Sequence, residues 1–135
     1  MTKMDTSFNL NLSNWNTSNV TSMNSMFYEA GYKATTWYVG SLSGWNTSKV
    51  TNMDYMFYYV GCYATTFSLN ITGWKTSNVA TMSSYMFYAA GASASSWSLR
   101  IPRTNGGSIS NYSTRLYGQS TSVYATPPSN RSFSF

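Results

Sequence analysis

A block of about thirty residues is written three times in this chain. WNTSNVT at residues 15–21 returns as WNTSKVT at residues 45–51 and as WKTSNVA at residues 74–80, so that the opening tryptophans are 30 and 29 residues apart. A fixed period in this range is typical of a solenoid, in which each unit buries its apolar face against its neighbours. Since solenoids serve mostly as scaffolds and binding surfaces, the repeat predicts a binding or structural protein.

Each unit begins with a stretch in which apolar and polar residues alternate. The copies lie at residues 8–12, 37–42, 67–71 and 97–101. Such alternation predicts a half-buried strand, and in the first copy it turns Phe8, Leu10 and Leu12 inward. The second copy has one extra residue near Gly40, which predicts a bulge.

The next part of the unit predicts a corner and a short amphipathic helix. Apolar residues recur at i, i+3, i+6, i+7 and i+10, the spacing of one helix face. They are Val20, Met23, Met26, Phe27 and Ala30, then Val50, Met53, Met56, Phe57 and Val60, then, with one inserted residue, Val79, Met82, Met86, Phe87 and Ala90. We expect these methionines to fill the core. We expect the tryptophans of the corner, Trp15, Trp45 and Trp74, to form a buried aromatic row.

Candidate helix ends flank the apolar stripe. Ser18, Ser48 and Ser77, or the threonine before each, are candidate N-caps. Gly31, Gly61 and Gly91 are placed where a glycine ends a helix in the left-handed conformation. The unit therefore predicts an α/β solenoid, a leucine-rich-repeat-like right-handed stack of strand–helix units of about thirty residues each.

The repeat period stops after residue 101, and this divides the chain into two predicted regions. Residues 1–101 are predicted to hold three to four leucine-rich-repeat-like units, and residues 102–135 a small β C-terminal cap. The cap would contain a hairpin over residues 115–125 and a terminal strand over residues 132–135, and would cover the edge of the last unit. A separate binding module in residues 102–135 is the alternative.

The unit resembles a known family over residues 8–101. LSNWNTSNVTSMNSMF at residues 12–27 follows the signature Leu-Ser-x-Trp-Asp/Asn-Thr-Ser-x-Val-Thr-x-Met-x-x-Met-Phe of BspA-like leucine-rich-repeat surface proteins, and the pattern returns at residues 42–57 and 71–87. The resemblance implies a bacterial, or occasionally protist or viral, surface protein that adheres to host matrix or to other cells. It supplies no catalytic residue, and the acid usual after the tryptophan is replaced by Asn16, Asn46 and Lys75.

The residue types argue against an enzyme. The chain has no His, and its only acids, Asp5, Glu29 and Asp54, are not placed as an acid and base pair. A Ser or Cys nucleophile would lack a histidine base, and calcium needs clustered carboxylates. The single cysteine, Cys62, allows neither an internal disulfide nor a cysteine-based zinc site. We expect no activity, no cofactor and no metal.

The charge is low and uneven. Charged residues make up 8% of the chain, and of the net charge of +5, residues 1–54 contribute zero and residues 55–135 contribute +5. This is either drift or a basic end for an anionic partner, but the dispersed arginines do not form a nucleic-acid motif. No apolar run reaches the roughly 18 residues of a membrane span, and residues 1–12 do not resemble a signal peptide.

A neutral surface rich in hydroxyl and amide groups predicts an extracellular or cell-surface location. We expect a fragment of a larger secreted protein, with a virion component as the alternative. The first functional hypothesis is a binding module for protein or glycan on a host or neighbouring cell. Its contact residues would be the outward strand positions on the concave face: Asn9, Asn11, Tyr38, Ser68, Asn70, Ser98 and Arg100. A ladder of Tyr28, Tyr58 and Tyr88 is a second candidate contact, unless these rings only cover the core.

The alternative hypothesis is a self-assembling structural subunit of a filament, appendage or virion. The strand edge at Phe8, Leu10 and Leu12 has no apparent cap and could accept a strand from another chain. End-to-end stacking would give a homo-oligomer that does not close. A spacer within a large surface protein is a third hypothesis, which the sequence does not separate from the first. Neither nucleic-acid binding nor a membrane span is expected.

Overall fold

Parallel strands order the part of the chain that the structure describes. The structure is a computed structural model, and it describes residues 7–76, 78–80, 85–102, 128, 131, 132 and 134. Its strands are β1 (Ser7–Asn9), β2 (Thr36–Tyr38), β3 (Thr66–Asn70) and β4 (Ser96–Arg100), which form one parallel sheet in chain order. Each strand opens a repeat, so residues 7–35 are named unit 1, residues 36–65 unit 2 and residues 66–95 unit 3.

The register places the same position of each unit side by side. Phe8 pairs with Trp37, Trp37 with Phe67, and Phe67 with Trp97. Their rings stack with centroid distances of 5.9, 5.1 and 5.9 Å. Side chains at paired positions of a sheet lie on the same face and touch across the strands. One inward aromatic position per unit therefore gives a continuous row of rings.

The extra residue of unit 2 is absorbed at Gly40. This glycine has a φ of +76°, a conformation that glycine adopts at no steric cost, and β2 ends two residues before it. Backbone pairing resumes beyond the insertion, where the Leu42 amide donates to the Asn70 carbonyl over 3.1 Å. The interruption expected from the sequence thus lies between Trp37, the last residue of β2 in register with β3, and Leu42.

The tryptophans of the corner form a second row. Trp45 stacks between Trp15 and Trp74 with centroid distances of 6.1 and 6.2 Å. The indole N–H of Trp45 donates to the Leu12 carbonyl of unit 1 over 2.8 Å. Trp74 repeats this bond to unit 2. Trp45 and Trp74 are buried as expected, whereas Trp15 is 53% exposed because it lies at the end of the row.

The threonine two residues after each tryptophan is buried. Thr17 and Thr47 each donate from Oγ1 to a backbone carbonyl of the next unit, at Asn46 over 3.1 Å and at Lys75 over 2.9 Å. Thr47 Oγ1 also accepts from the Lys75 amide over 2.8 Å. These hydroxyls therefore join neighbouring units in a place where an apolar side chain would leave backbone groups unpaired.

Thr47→Val is expected to lower the free energy of unfolding by about 1–3 kcal/mol, since valine keeps the shape but leaves two partly buried backbone groups of Lys75 without the Thr47 hydroxyl. Urea unfolding followed by tryptophan fluorescence measures the change. Thr36→Val, at an exposed strand position, is the matched control and should stay within about 0.5 kcal/mol of the parent. Equal losses in the two variants would contradict the role assigned to Thr47.

The candidate N-cap serines take part in asparagine turns. The side-chain oxygen of Asn16 accepts from the Ser18 amide over 3.1 Å and from its hydroxyl over 2.7 Å. Asn46 and Ser48 repeat these bonds at 3.0 and 2.7 Å. An asparagine that bonds to the backbone two residues on stabilises a local turn. Ser77 lies outside the described residues.

The segments predicted as helices are ribbons of turns in the structure, at residues 24–33, 54–63 and 85–93. In unit 1 the amides of Tyr28 and Ala30 bond within the unit, to carbonyls three residues earlier, whereas the intervening amides of Phe27 and Glu29 donate to unit 2 over 2.9 and 2.7 Å. Alternate amides therefore close local turns and join the units.

Left-handed residues account for the difference from a helix. Ser25 and Glu29 have a φ of 58°, and Tyr55 and Tyr59 repeat this in unit 2 at 57° and 58°. A residue in this region cannot continue a right-handed helix. No α-helix occurs among the described residues, which omit residues 81–84 of unit 3. The strand–helix form of the solenoid stays a prediction.

The apolar stripe would provide the core whether the segment is a helix or a turn ribbon. In unit 2 all of its members are buried: Val50, Met53, Met56, Phe57 and Val60. In unit 1 Met23 and Phe27 are buried, but Met26 is more than one-third exposed. Unit 2 lies between two neighbours, whereas among the described residues unit 1 packs against unit 2 alone. Position in the stack therefore decides how deeply equivalent residues are buried.

Ser134 continues the sheet beyond β4. It pairs in parallel with Arg100. Its amide donates to the Leu99 carbonyl over 3.0 Å, and its carbonyl accepts from the Ile101 amide over 2.8 Å. The hairpin predicted over residues 115–125 lies outside the described residues, as do Phe133 and Phe135 of the predicted terminal strand.

Arg131 closes the turn ribbon of unit 3. Its Nη2 donates to the carbonyls of Gly91, Ala92 and Ala94 over 3.3, 3.0 and 2.7 Å. The same guanidinium lies 5.5 Å from the ring centroid of Trp97, within the range of a cation–π contact. One side chain thereby pairs carbonyls at the far end of the described stack.

Candidate binding surface

The strand face presents the polar positions predicted for ligand contact. Asn9, Asn11, Tyr38, Ser68 and Arg100 are exposed, and Asn70 and Ser98 are half-buried. Tyr38, which is 51% exposed, supplies an aromatic ring among them. Six of the seven lie in strands β1 to β4, and Asn11 lies two residues beyond the end of β1. Together they form a polar row that carries one charge.

Two of these seven side chains already accept hydrogen bonds from residues two positions further along the chain. The side-chain oxygen of Asn11 accepts from the Ser13 amide over 3.1 Å and from its hydroxyl over 2.7 Å. Asn70 holds Thr72 in the same way over 3.0 and 2.8 Å. A ligand on the strand face would meet these two oxygens with their hydrogen bonds already made.

The three tyrosines of the predicted ladder stack along the turn ribbons. The ring of Tyr58 lies 4.8 Å from that of Tyr28 and 5.7 Å from that of Tyr88, at interplanar angles of 12° and 18°. Tyr28 is 47% exposed and Tyr88 is 44% exposed, with Tyr58 half-buried between them. The ladder is accessible along its length and lies on a different part of the stack from the strand face.

A second pair of tyrosines lies beside the ladder. Tyr55 stacks on Tyr85 with a centroid distance of 5.4 Å and an interplanar angle of 1°. Both rings make edge contacts with ladder members, Tyr55 with Tyr58 over 5.6 Å and Tyr85 with Tyr88 over 5.9 Å. The two stacked rows form a single aromatic surface.

Three more tyrosines extend this surface on its other side. Tyr59 lies edge-on to Tyr58 at 4.7 Å. Tyr32 contacts Tyr59 at 5.6 Å and Tyr63 at 5.4 Å. We name the whole set the tyrosine patch: Tyr28, Tyr32, Tyr55, Tyr58, Tyr59, Tyr63, Tyr85 and Tyr88. The patch spans all three units through direct ring contacts.

The sequence offered a signal for the wider patch. Tyr55, Tyr58, Tyr59 and Tyr63 follow one another at i, i+3, i+4 and i+8 in unit 2. Comparison between units hides the signal, because unit 1 has serine and glutamate where unit 2 has Tyr55 and Tyr59. Only the stacked structure shows that Tyr85 of unit 3 completes the row.

Partial burial affects the pKa of two central tyrosines of the patch, Tyr58 and Tyr59. Partial burial raises the pKa of Tyr58 above its ordinary value, and the nearby Tyr28 phenol adds to the effect. Partial burial likewise raises the pKa of Tyr59, with Tyr88 as a further cause. These hydroxyls therefore remain neutral at physiological pH and are able both to donate and to accept hydrogen bonds.

The predicted assembly edge lies at the unit 1 end of the stack. Leu12 is buried and Phe8 is half-buried, whereas Leu10 is 49% exposed. Leu10 takes the inward position that Val39 and Leu69 take in the next units, and both of those are buried. The side chain follows the alternation, but within the described residues nothing covers that end.

The described residues contain no group of three or more His, Cys, Asp or Glu side chains that could hold a metal ion. Cys62 is a free thiol and is buried, and burial raises its pKa. A buried thiol with a raised pKa carries little of the reactive thiolate.

Comparison with known proteins gives a family match over the part of the chain that contains the stacked units. The model of a family described as "Mycoplasma protein of unknown function, DUF285" matches residues 1–100. The chain belongs to that family. The DUF285 match includes units 1 to 3 and β4, and thus every tyrosine of the patch. Comparison with curated proteins and with solved structures gave no significant match.

Membership of DUF285 establishes a repeat family without assigning a function to it. The match to DUF285 does not extend to the more specific description of the chain as a BspA-like leucine-rich-repeat protein. In the described ranges, no helix of this DUF285 protein has the length and apolar character needed to cross a bilayer.

Proposed function

We propose that this DUF285 protein is a non-catalytic surface module that binds protein or glycan through the tyrosine patch. The observation that carries the proposal is the direct ring contact of eight tyrosines across three units, with the outer rings Tyr28 and Tyr88 nearly half-exposed. Tyrosine offers a large apolar body and a polar tip, which is why it is enriched at interfaces.

The patch is held rigid before any ligand arrives. Its rings stack on one another, and the turn ribbons beneath are joined by bonds such as that from the Tyr59 amide to the Tyr88 carbonyl, 2.8 Å long. Immobilising a flexible side chain costs about 0.5–1.5 kcal/mol on binding, and preorganised side chains avoid most of this cost. A preorganised aromatic surface therefore supports a binding role better than a purely structural one.

The chemistry of the patch favours a neutral ligand surface. The tyrosine hydroxyls can donate and accept hydrogen bonds, and the ring faces can pack on apolar parts of a protein or on the faces of a sugar. A nucleic-acid surface would instead need a cluster of cations. The resemblance to BspA-like repeats adds the expectation of adhesion, and with it an extracellular or cell-surface location, within a larger secreted protein or a virion.

Binding of the labelled protein to cultured epithelial cells tests the proposal. The double variant Tyr28→Ser, Tyr88→Ser is expected to weaken cell binding by about tenfold or more, because it removes the two most exposed faces of the ladder. Tyr38→Ser is the matched control, since Tyr38 is equally exposed but lies on the strand face. It should retain binding within about twofold of the parent.

The control also separates the two candidate surfaces. Loss of binding in Tyr38→Ser alone would assign the contact to the strand face and overturn the assignment to the patch. Retention of binding in every variant would overturn both. The thermal midpoint of each variant shows whether a loss reflects unfolding, and glycosidase or protease treatment of the cells distinguishes a glycan ligand from a protein ligand.

The self-assembling structural subunit is the second candidate function. The observation that favours it is the half-exposed Leu10 and Trp15 at the unit 1 end. A spacer role would leave both the patch and this end without a partner. A complete strand–helix solenoid of the leucine-rich-repeat type, with a β cap over residues 102–135, is proposed on the strength of the sequence pattern.

A further inference from the structure

We propose that two copies of this chain form a closed pair in which their unit 1 ends face each other. The first observation is exposed apolar surface. Leu10 and Trp15 are each about half-exposed, whereas the equivalent Val39 and Trp45 of unit 2 are buried. Apolar side chains that the repeat buries elsewhere are thus half-exposed at the unit 1 end of the described stack, and burying them against a partner is favourable.

The aromatic rows reach this end with an open ring face. Trp45 has a stacked tryptophan on each side, whereas among the described residues Trp15 stacks on Trp45 alone. Within the same part of the chain Phe8 stacks on Trp37 alone, while Trp37 lies between Phe8 and Phe67. Two rows of rings therefore end at the same surface, where another pair of rings could continue the stacking.

Backbone groups at this end have fewer partners among the described residues than their equivalents in the next units. The amides of Gly61 and Tyr63 donate to carbonyls of unit 1 over 3.2 Å each. The equivalent amides of unit 1, those of Gly31 and Lys33, have no backbone acceptor among the described residues. The Met26 carbonyl, which corresponds to the bonded Met56 carbonyl, has no backbone donor there. A strand edge of this kind can pair with another chain.

The β4 end of the stack indicates that the partner surface is the unit 1 end of a second copy. Ser134 already pairs with β4, and Arg131 already pairs the carbonyls of the last turn ribbon. A head-to-tail filament would have to displace both, whereas a contact between two unit 1 ends leaves the bonds of Ser134 and Arg131 in place. A contact that uses the same surface on both copies closes at two.

The charge distribution favours the same arrangement. Residues 1–54 carry three cations and three anions, and residues 55–135 carry all five net positive charges. A pair that joins the neutral ends keeps the basic ends of the two copies apart, which reduces their repulsion. The only charged residues of unit 1 are Glu29 and Lys33, and these have opposite signs.

Sedimentation equilibrium of the full chain tests the pair over a roughly hundredfold range of concentration. The expected mass rises from 15.1 kDa to twice that value and then stays constant. Leu10→Lys and Trp15→Asp, tested separately, should each raise the dissociation constant by about tenfold or more, because each buries a charge in the contact. Tyr38→Lys, equally exposed but away from the end, should leave the constant unchanged.

A mass of 15.1 kDa at every concentration would overturn the proposal. A mass that climbs beyond two copies would overturn it in favour of head-to-tail stacking. Because Leu10 and Trp15 are already half-exposed, both variants are expected to fold, and circular dichroism verifies this. The pair does not depend on the tyrosine patch, so loss of cell binding in the patch variants leaves it untouched.

Discussion

Phe57→Ala is expected to lower the free energy of unfolding by about 3–5 kcal/mol, the range for removing a fully buried phenylalanine. Phe57 has no exposed surface and lies at the centre of the stack. Its ring stacks between Phe27 at 5.3 Å and Phe87 at 5.7 Å, and it also contacts Trp74 at 6.1 Å. The substitution would leave a cavity between three units that the surrounding rings cannot fill.

Urea unfolding monitored by near-ultraviolet circular dichroism measures this loss. Small domains have a total stability of about 5–15 kcal/mol, so the variant should unfold at a much lower urea concentration. Phe8→Ala is the matched control, because Phe8 is half-buried and stacks on one ring only. It should lose clearly less. Similar losses for both residues would mean that position within the stack does not govern the stability of its rings.

Gly91→Ala is expected to destabilise the protein by about 2–5 kcal/mol, the sum of a left-handed backbone penalty and an overpacking penalty. Gly91 has a φ of +60°, which disfavours any residue with a Cβ. A Cβ at this position would lie 2.5 Å from Cγ and 2.6 Å from Cβ of Phe67. Phe67 is buried in the ring row between Trp37 and Trp97, so it has no room to move away.

Gly44→Ala is the control for the change of residue type. Gly44 is exposed, and an added Cβ there meets nothing within 4 Å, so its substitution should alter stability by about 0.5 kcal/mol or less. Thermal unfolding of the two variants in parallel gives the comparison. A Gly91→Ala variant as stable as the parent would contradict both the left-handed conformation and the close approach to Phe67.

The glycine and tryptophan positions could be predicted because each reflects a strict local requirement. Gly31, Gly61 and Gly91 are left-handed as the sequence predicts, although in the described structure they lie within turn ribbons and not at the end of a helix. Trp45 and Trp74 are buried because a large apolar ring recurs at the same point of every unit. The alternation likewise anticipates the parallel strands, with β3 and β4 each starting one residue before the alternating stretch.

The conformation between the corner and the glycine could not be read from apolar spacing. Val50, Met53, Met56, Phe57 and Val60 are buried in the structure, as they would be on one face of a helix. The two conformations differ in where alternate amides find their acceptors. The choice of acceptor depends on left-handed residues such as Tyr55 and Glu29. Tyrosine and glutamate rarely adopt this conformation, so their presence in the sequence does not predict it.

Residues at the ends of the stack depart from the pattern for another reason. Leu10 obeys the alternation and is still half-exposed, because burial in a repeat protein comes from the neighbouring unit and not from the unit itself. Thr17 and Thr47 show the converse, since two polar residues are buried where the next unit supplies their acceptors. The sequence of a single unit therefore predicts neither the exposure of Leu10 nor the burial of the two threonines.

The contacts between units join equal positions, as Phe27 to Phe57 and Phe57 to Phe87 show. The same ring contact therefore recurs at both boundaries between units. A gene duplication or deletion that adds or removes one whole unit keeps this ring contact at each boundary. Such events would lengthen or shorten the tyrosine patch by the tyrosines of one unit at a time. The length of the patch could therefore change in evolution without a new type of core.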